Sequence, residues 1–108
     1  MNKFEAVVLL SPEISSKVRI SCLENLEKVI NEKSGNIVNN EDWGLRDISY
    51  KIGHFSKAFY IFYQIEIDGN NLESVKKTLN QDENFIRHLF VKVEQHQELP
   101  TKLNNEKN

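Results

Sequence analysis

The sequence is sparing with several residues whose absence decides things. It has one cysteine, two prolines and four glycines in 108 residues. The lone thiol, Cys22, excludes an internal disulfide and fits a reducing compartment, so the expected location is cytoplasmic. No apolar run approaches the roughly 18 residues that a membrane span needs. The opening stretch MNKFEAVVLLSPEIS is too short in its apolar part, and acidic too early, to read as a secretory signal. An excess of basic charge is also missing. Fourteen Lys and Arg face 16 Asp and Glu, for a formal net charge of -2. A protein that holds nucleic acid alone, through many phosphates, is usually basic. Contact with RNA would therefore require a local patch and a basic partner beside it.

Signatures of catalysis are lacking too. His54, His88 and His96 show no metal-ligand spacing. There is no Gly-rich phosphate loop, and the serines fall in caps and turns, where no Ser-His-Asp arrangement can be assembled. The loop after the first apolar stretch, LSPEIS, is acidic and has neither Arg nor Gly, which argues against an anion cradle of the acylphosphatase kind. We expect no cofactor, no metal, no small-molecule substrate and no enzymatic activity.

What is present is a clear succession of periods. Lys3 to Leu10 alternates and reads as a strand buried on much of both faces, ended by Ser11-Pro12. From Ser15 to Lys33 the apolar residues Val18, Cys22, Leu26 and Val29, widened by Leu23 and Ile30, mark an amphipathic helix. Ser15 or Ser16 caps it, and Gly35 suits a left-handed C′ position. Cys22 lies on the apolar stripe as a small core residue. Asn36 to Ile52 reads as a long strand kinked near Glu41-Asp42, with a bulge at Gly44. Gly53 to Lys57 is a turn, and Ala58 to Ile67 is a strand rich in aromatic and β-branched residues. The short loop between these two strands predicts an antiparallel hairpin. Asp68 to Asn71 caps a second helix marked by Leu72, Val75 and Leu79. Ile86 to Glu94 is the last strand, with Leu89, Val91 and Val93 assigned inward and Ile86, His88, Phe90 and Lys92 outward. Residues 1–96 form one domain, and the polar stretch 97–108 is expected to be a mobile tail.

The order β-α-β-β-α-β predicts an α+β, ferredoxin-like split βαβ fold: a four-stranded antiparallel sheet with two helices on one face. Such a fold does not name a function. The face without helices is then the informative one. Tyr60, Phe62 and Phe90, with Ile86 and His88 nearby, are expected on it, and exposed apolar area of this kind marks a contact surface unless the tail covers it. Around the sheet edges stand Lys3, Arg46, Lys51, Lys57, Arg87 and Lys92, each alone a solvated charge, together a candidate RNA-backbone patch.

Residues 44–52, GLRDISYKI, resemble the signature of the bacterial small-subunit ribosomal protein S six family. Gly44, Arg46, Asp47, Ser49, Tyr50 and Ile52 match it; Ile48 stands where Leu is usual, and Gly53 where a basic or small polar residue is usual. Lys3-Phe4-Glu5, Lys57-Ala58-Phe59-Tyr60 and Ile86-Arg87-His88-Leu89 resemble other parts of that family, so the resemblance runs from Lys3 to Gln95. It implies a structural role in the small ribosomal subunit, binding platform (central-domain) ribosomal RNA as a heterodimer with ribosomal protein S eighteen. Arg46 and Arg87 match the family's basic positions and are the leading candidates for RNA or partner contact. Lys3 and Lys57 come next. Tyr50 is either a packing anchor whose hydroxyl reaches the edge or a plain core residue with a polar tip. Phe62 and Phe90 either pack a partner or each other. The alternative is an RRM-like single-stranded RNA binder, suggested by KAFYIFYQI, although Ala58 replaces a Gly and Ile61 stands where Phe is expected.

Overall fold

The computed structural model describes residues 1–99. Its elements run β1 (Asn2–Leu10), α1 (Ser16–Glu32), β2 (Asn36–Ile52), β3 (Phe55–Ile67), α2 (Gly69–Gln81) and β4 (Phe85–Val93). The four strands form one antiparallel sheet in the order β2-β3-β1-β4, the split βαβ arrangement. The core lies between one sheet face and the helices. Phe4, Ala6, Val8 and Leu10 from β1 and Ile61, Tyr63, Ile65 and Ile67 from β3 meet Cys22, Leu26 and Ile30 of α1 and Leu72, Val75 and Leu79 of α2. Each helix therefore buries the stripe that its period predicts, except at the N-terminal end of α1, where Val18 remains exposed.

Local chemistry sets the helix ends. Ser15 caps α1, its Oγ accepting from the Val18 backbone N–H at 3.2 Å. At the other end Gly35 N–H donates to Ile30 O at 2.8 Å and Ser34 N–H to Asn31 O at 3.1 Å, the paired bonds of a Schellman motif. The expectation that Gly35 takes the left-handed conformation is corrected here: Ser34 holds it, with φ 62°. Gly35 is instead required by packing, since a Cβ there would stand 2.9 Å from both Ile30 Cγ2 and Ile67 Cδ1. Asp68 caps α2, its carboxylate accepting from Asn70 N–H at 2.9 Å.

The hairpin is longer than its sequence suggests. Ile52 pairs with Phe55, so β3 begins at Phe55 instead of Ala58, and the turn shrinks to Gly53-His54 with Gly53 at φ 60°. Strand β2 departs from regular pairing at three places. One is the expected bulge, where Gly44 sits at φ 77° and its N–H donates to Asp42 Oδ1 at 2.8 Å. Another lies between Asp47 and Ile52, where β2 carries surplus residues relative to β3.

Candidate functional site

Pairing across the sheet settles which side chains face away from the helices. In an antiparallel pair, directly opposed residues share a face. Val7 opposes Phe62 and Leu89; Leu9 opposes Tyr60 and Arg87; Glu5 opposes Gln64 and Val91. These residues line the open face. The assignment of β4 from its alternation is thus reversed. Leu89 and Val91 point outward, 61% and 48% exposed, while Phe90 opposes Ala6 and packs against the core. His88 and Lys92 share the side of Phe90, opposing Val8 and Phe4. The physical reason is that both faces of β4 carry apolar residues, so its alternation does not single out the buried one; the regular pairing of residues 87–93 with β1 does. Phe90 therefore leaves the candidate contact set. It packs edge-on with His88 and carries Lys76 Nζ 5.8 Å above its ring. Burial, and then Lys76, push His88 below the usual histidine range.

The open face has a sealed part and an apolar part. Trp43 stacks on Phe62 at 5.3 Å with rings nearly parallel, and Phe62 is left only 3% exposed. The aromatic expected to be offered to a ligand is thus capped by another ring of the same chain. At one end, Glu5 accepts from the Gln97 backbone N–H at 2.9 Å, from Gln97 Nε2 at 3.0 Å and from Gln64 Nε2 at 3.0 Å. Gln64 Nε2 also donates to Gln97 O at 2.7 Å, and His96 Nδ1 stands 3.5 Å from the same carboxylate. Burial pushes the Glu5 carboxyl up. The bonds from Gln97 and Gln64, with His96 beside it, outweigh that and hold it below its usual range. Gln97, placed by its composition at the start of the tail, is thus fastened to the sheet; positions 100–108 lie outside the described residues.

Between these features the apolar surface continues. Val7, Trp43, Phe62, Leu89, Val91 and Val93 border one depression, and Val7, Leu9, Trp43, Tyr60 and Leu89 border a second, of about 300 Å³. The second is lined also by surplus residues of β2, among them Ile48, Ser49 and Tyr50. Tyr50 Oη accepts from Arg87 Nη1 at 3.1 Å.

The basic candidates divide in the same way. Arg46 opposes Ala58 on the open side and is pinned by donating from Nε to Trp43 O at 3.0 Å; its Nη2 is buried with no hydrogen-bond partner. Arg87 and Lys3 also belong to the open side, opposing Leu9 and Val93. Lys57 is turned the other way, opposite Asp47, with Nζ 3.9 Å from its carboxylate and both side chains largely exposed. Lys92 is exposed on the helix side of β4, and Lys51 is exposed near the hairpin turn. The candidate patch therefore does not form one surface. Arg46, Arg87 and Lys3 rim the open face, and Lys57 and Lys92 do not. Tyr60 faces the same side as Arg46, with its hydroxyl 3.5 Å from Asp47 O. The residues that sequence reasoning passed over are Trp43, Val7, Leu9, Leu89 and Val91. The single Trp beside a bulge glycine was the signal for the first.

Cys22 is buried, and burial, followed by the nearby Asp82, pushes its thiol up, which leaves it inert. Among the described residues no group of His, Cys, Asp or Glu is arranged to hold a metal ion. Among the described residues no helix is long and apolar enough to cross a membrane.

A sequence model of the family described as Ribosomal protein S6 matches residues 3–92. The chain belongs to the ribosomal protein S6 family. The small ribosomal subunit protein bS6 of Rickettsia felis is 33% identical over 94 residues, which cover 87% of this chain and 78% of the relative. That of Christiangramia forsetii is 31% identical over 96 residues, covering 89% and 86%. The crystal structure of 30S ribosomal protein S6 from Thermotoga maritima superposes with a TM-score of 0.81 at 24% identity, over 85% of this chain and 87% of that one. A member of the S6 family is a structural component of the small ribosomal subunit and not an enzyme.

Proposed function

We propose that the chain binds platform ribosomal RNA together with ribosomal protein S eighteen, and that the open face is the surface through which it does so. The observation that carries this reading is the exposed apolar strip Leu89 and Val91 on that face, rimmed by Arg46, Arg87 and Lys3. An apolar strip with cations at its border suits a protein partner at the centre and phosphate contacts at the edge. The net charge of -2 argues that phosphates are held jointly with a basic partner and not by this chain alone. An RRM-like reading has less support. Base stacking needs free aromatic faces, and Phe62 is already covered by Trp43.

The test is a binding assay with a platform RNA fragment, using this chain, the partner, and both, at two salt concentrations. Tight, salt-sensitive binding only with both proteins is expected. Arg46→Ala and Arg87→Ala should each lower the salt slope by about one. Equal binding of RNA by this chain with and without the partner would contradict the reading.

A further inference from the structure

The surplus residues of β2 between Asp47 and Ile52 fall out of register with β3 and pass over the open face. Extra residues of this kind disrupt the ladder locally and leave fewer of their own amides paired across it. Side-chain contacts must help to hold the segment where it is. Those of Asp47 with Tyr60 and Lys57 stay on the neighbouring strand β3; the contact of Tyr50 reaches further. Tyr50 is 65% exposed, yet its hydroxyl accepts from Arg87 Nη1 at 3.1 Å and its ring lies 5.8 Å from the guanidinium carbon. Arg87 stands on β4, on the far side of β3 and β1 from β2. The contact thus reaches across the width of the sheet and borders the slot lined by Val7, Leu9 and Leu89.

We propose that Tyr50 and Arg87 are a clasp that holds the β2–β3 arm over the open face in the free protein, so that the slot is formed before any partner arrives. Tyr50 is then a positioning residue, acting through the arm and not by contact with RNA. The idea rests on the proposed function only in taking this face as the contact surface; the clasp itself is a property of the unbound chain. Preforming the slot spares the ordering of a loop on association.

The experiment is residue-resolved amide hydrogen exchange on the free, full-length chain. Tyr50→Phe keeps the ring and removes the acceptor oxygen. Arg87→Gln removes the charge and shortens the donor. Each should speed exchange at residues 47–52 by roughly threefold to tenfold, the equivalent of one modest hydrogen bond. Amides of Val7 and Leu9 should not change. The double variant should exchange no faster than the more affected single one, because the two side chains act as one contact. Unchanged exchange in the arm of both single variants, or additive effects in the double, would overturn the clasp. Leu89→Asp tests the contact surface separately. If it leaves partner binding intact while the exchange results hold, the functional reading fails and the clasp stands.

Discussion

Glu5 offers the sharpest test of how the open face is closed at one end. Its carboxylate gathers three donors from two residues, Gln97 and Gln64, with its side chain only 13% exposed. Gln64 is 2% exposed and keeps one other acceptor, Gln97 O, which is held in place by the same cluster. Glu5→Ala removes the acceptor of all three bonds and loosens the segment that supplies the fourth. A hydrogen bond to a charged group contributes about 1.5–3 kcal/mol, and bonds that share one carboxylate do not add in full. The expected loss is therefore about 2–3 kcal/mol, a shift in Tm of roughly 10 °C for a domain of this size. Urea unfolding at pH 7 reads it directly. The pH dependence gives an independent check. The folded pKa of Glu5 lies below its ordinary value of 4.5, so the unfolded state binds the proton first on acidification. The stabilisation is fully present above that value and is lost as pH falls through the folded pKa. The gap between the wild-type chain and Glu5→Ala should narrow in acid. A cost under about 0.5 kcal/mol at pH 7, within the range of an ordinary surface change, or a gap that does not change with pH, would refute the assignment of an ionised, fully bonded carboxylate.

Other positions separate packing from contact. Gly35→Ala should destabilise by about 1–3 kcal/mol in denaturant unfolding, because the added Cβ meets Ile30 and Ile67 at 2.9 Å in a closed corner. Trp43→Ala removes the ring stacked on Phe62 and should cost about 3–5 kcal/mol, read by calorimetry. Leu89→Asp should leave stability within about 0.5 kcal/mol, since Leu89 is 61% exposed, while weakening association with the partner protein in a pull-down.

Much of the fold was legible from local pattern. The six elements came in the expected order because helix and strand periods are written within single segments. Cys22 on a helical stripe, Ser15 before the first turn and Gly44 in a strand each had a local physical meaning that the structure bears out. The family signature in residues 44–52 was equally legible. The orientation of β4 was not. Period-two alternation identifies the buried face only when the other face is polar, and here both faces of FIRHLFVKV carry apolar residues. The more apolar set looked like core, and it is the surface strip.

Sequence alone, then, determined the element types, the connection order and the residue chemistry available, since each depends on neighbours a few positions apart. Tertiary structure alone decided which cations share a face, that Trp43 caps Phe62, that Gln97 returns to Glu5 and that Tyr50 reaches Arg87. Those outcomes depend on strand register and on bulges at Asp42/Gly44 and Asp47/Ile52. A bulge switches the face that follows along its strand, as between Phe85 in the core and Arg87 on the open side, and where it falls depends on the partner strand, so no single segment records it.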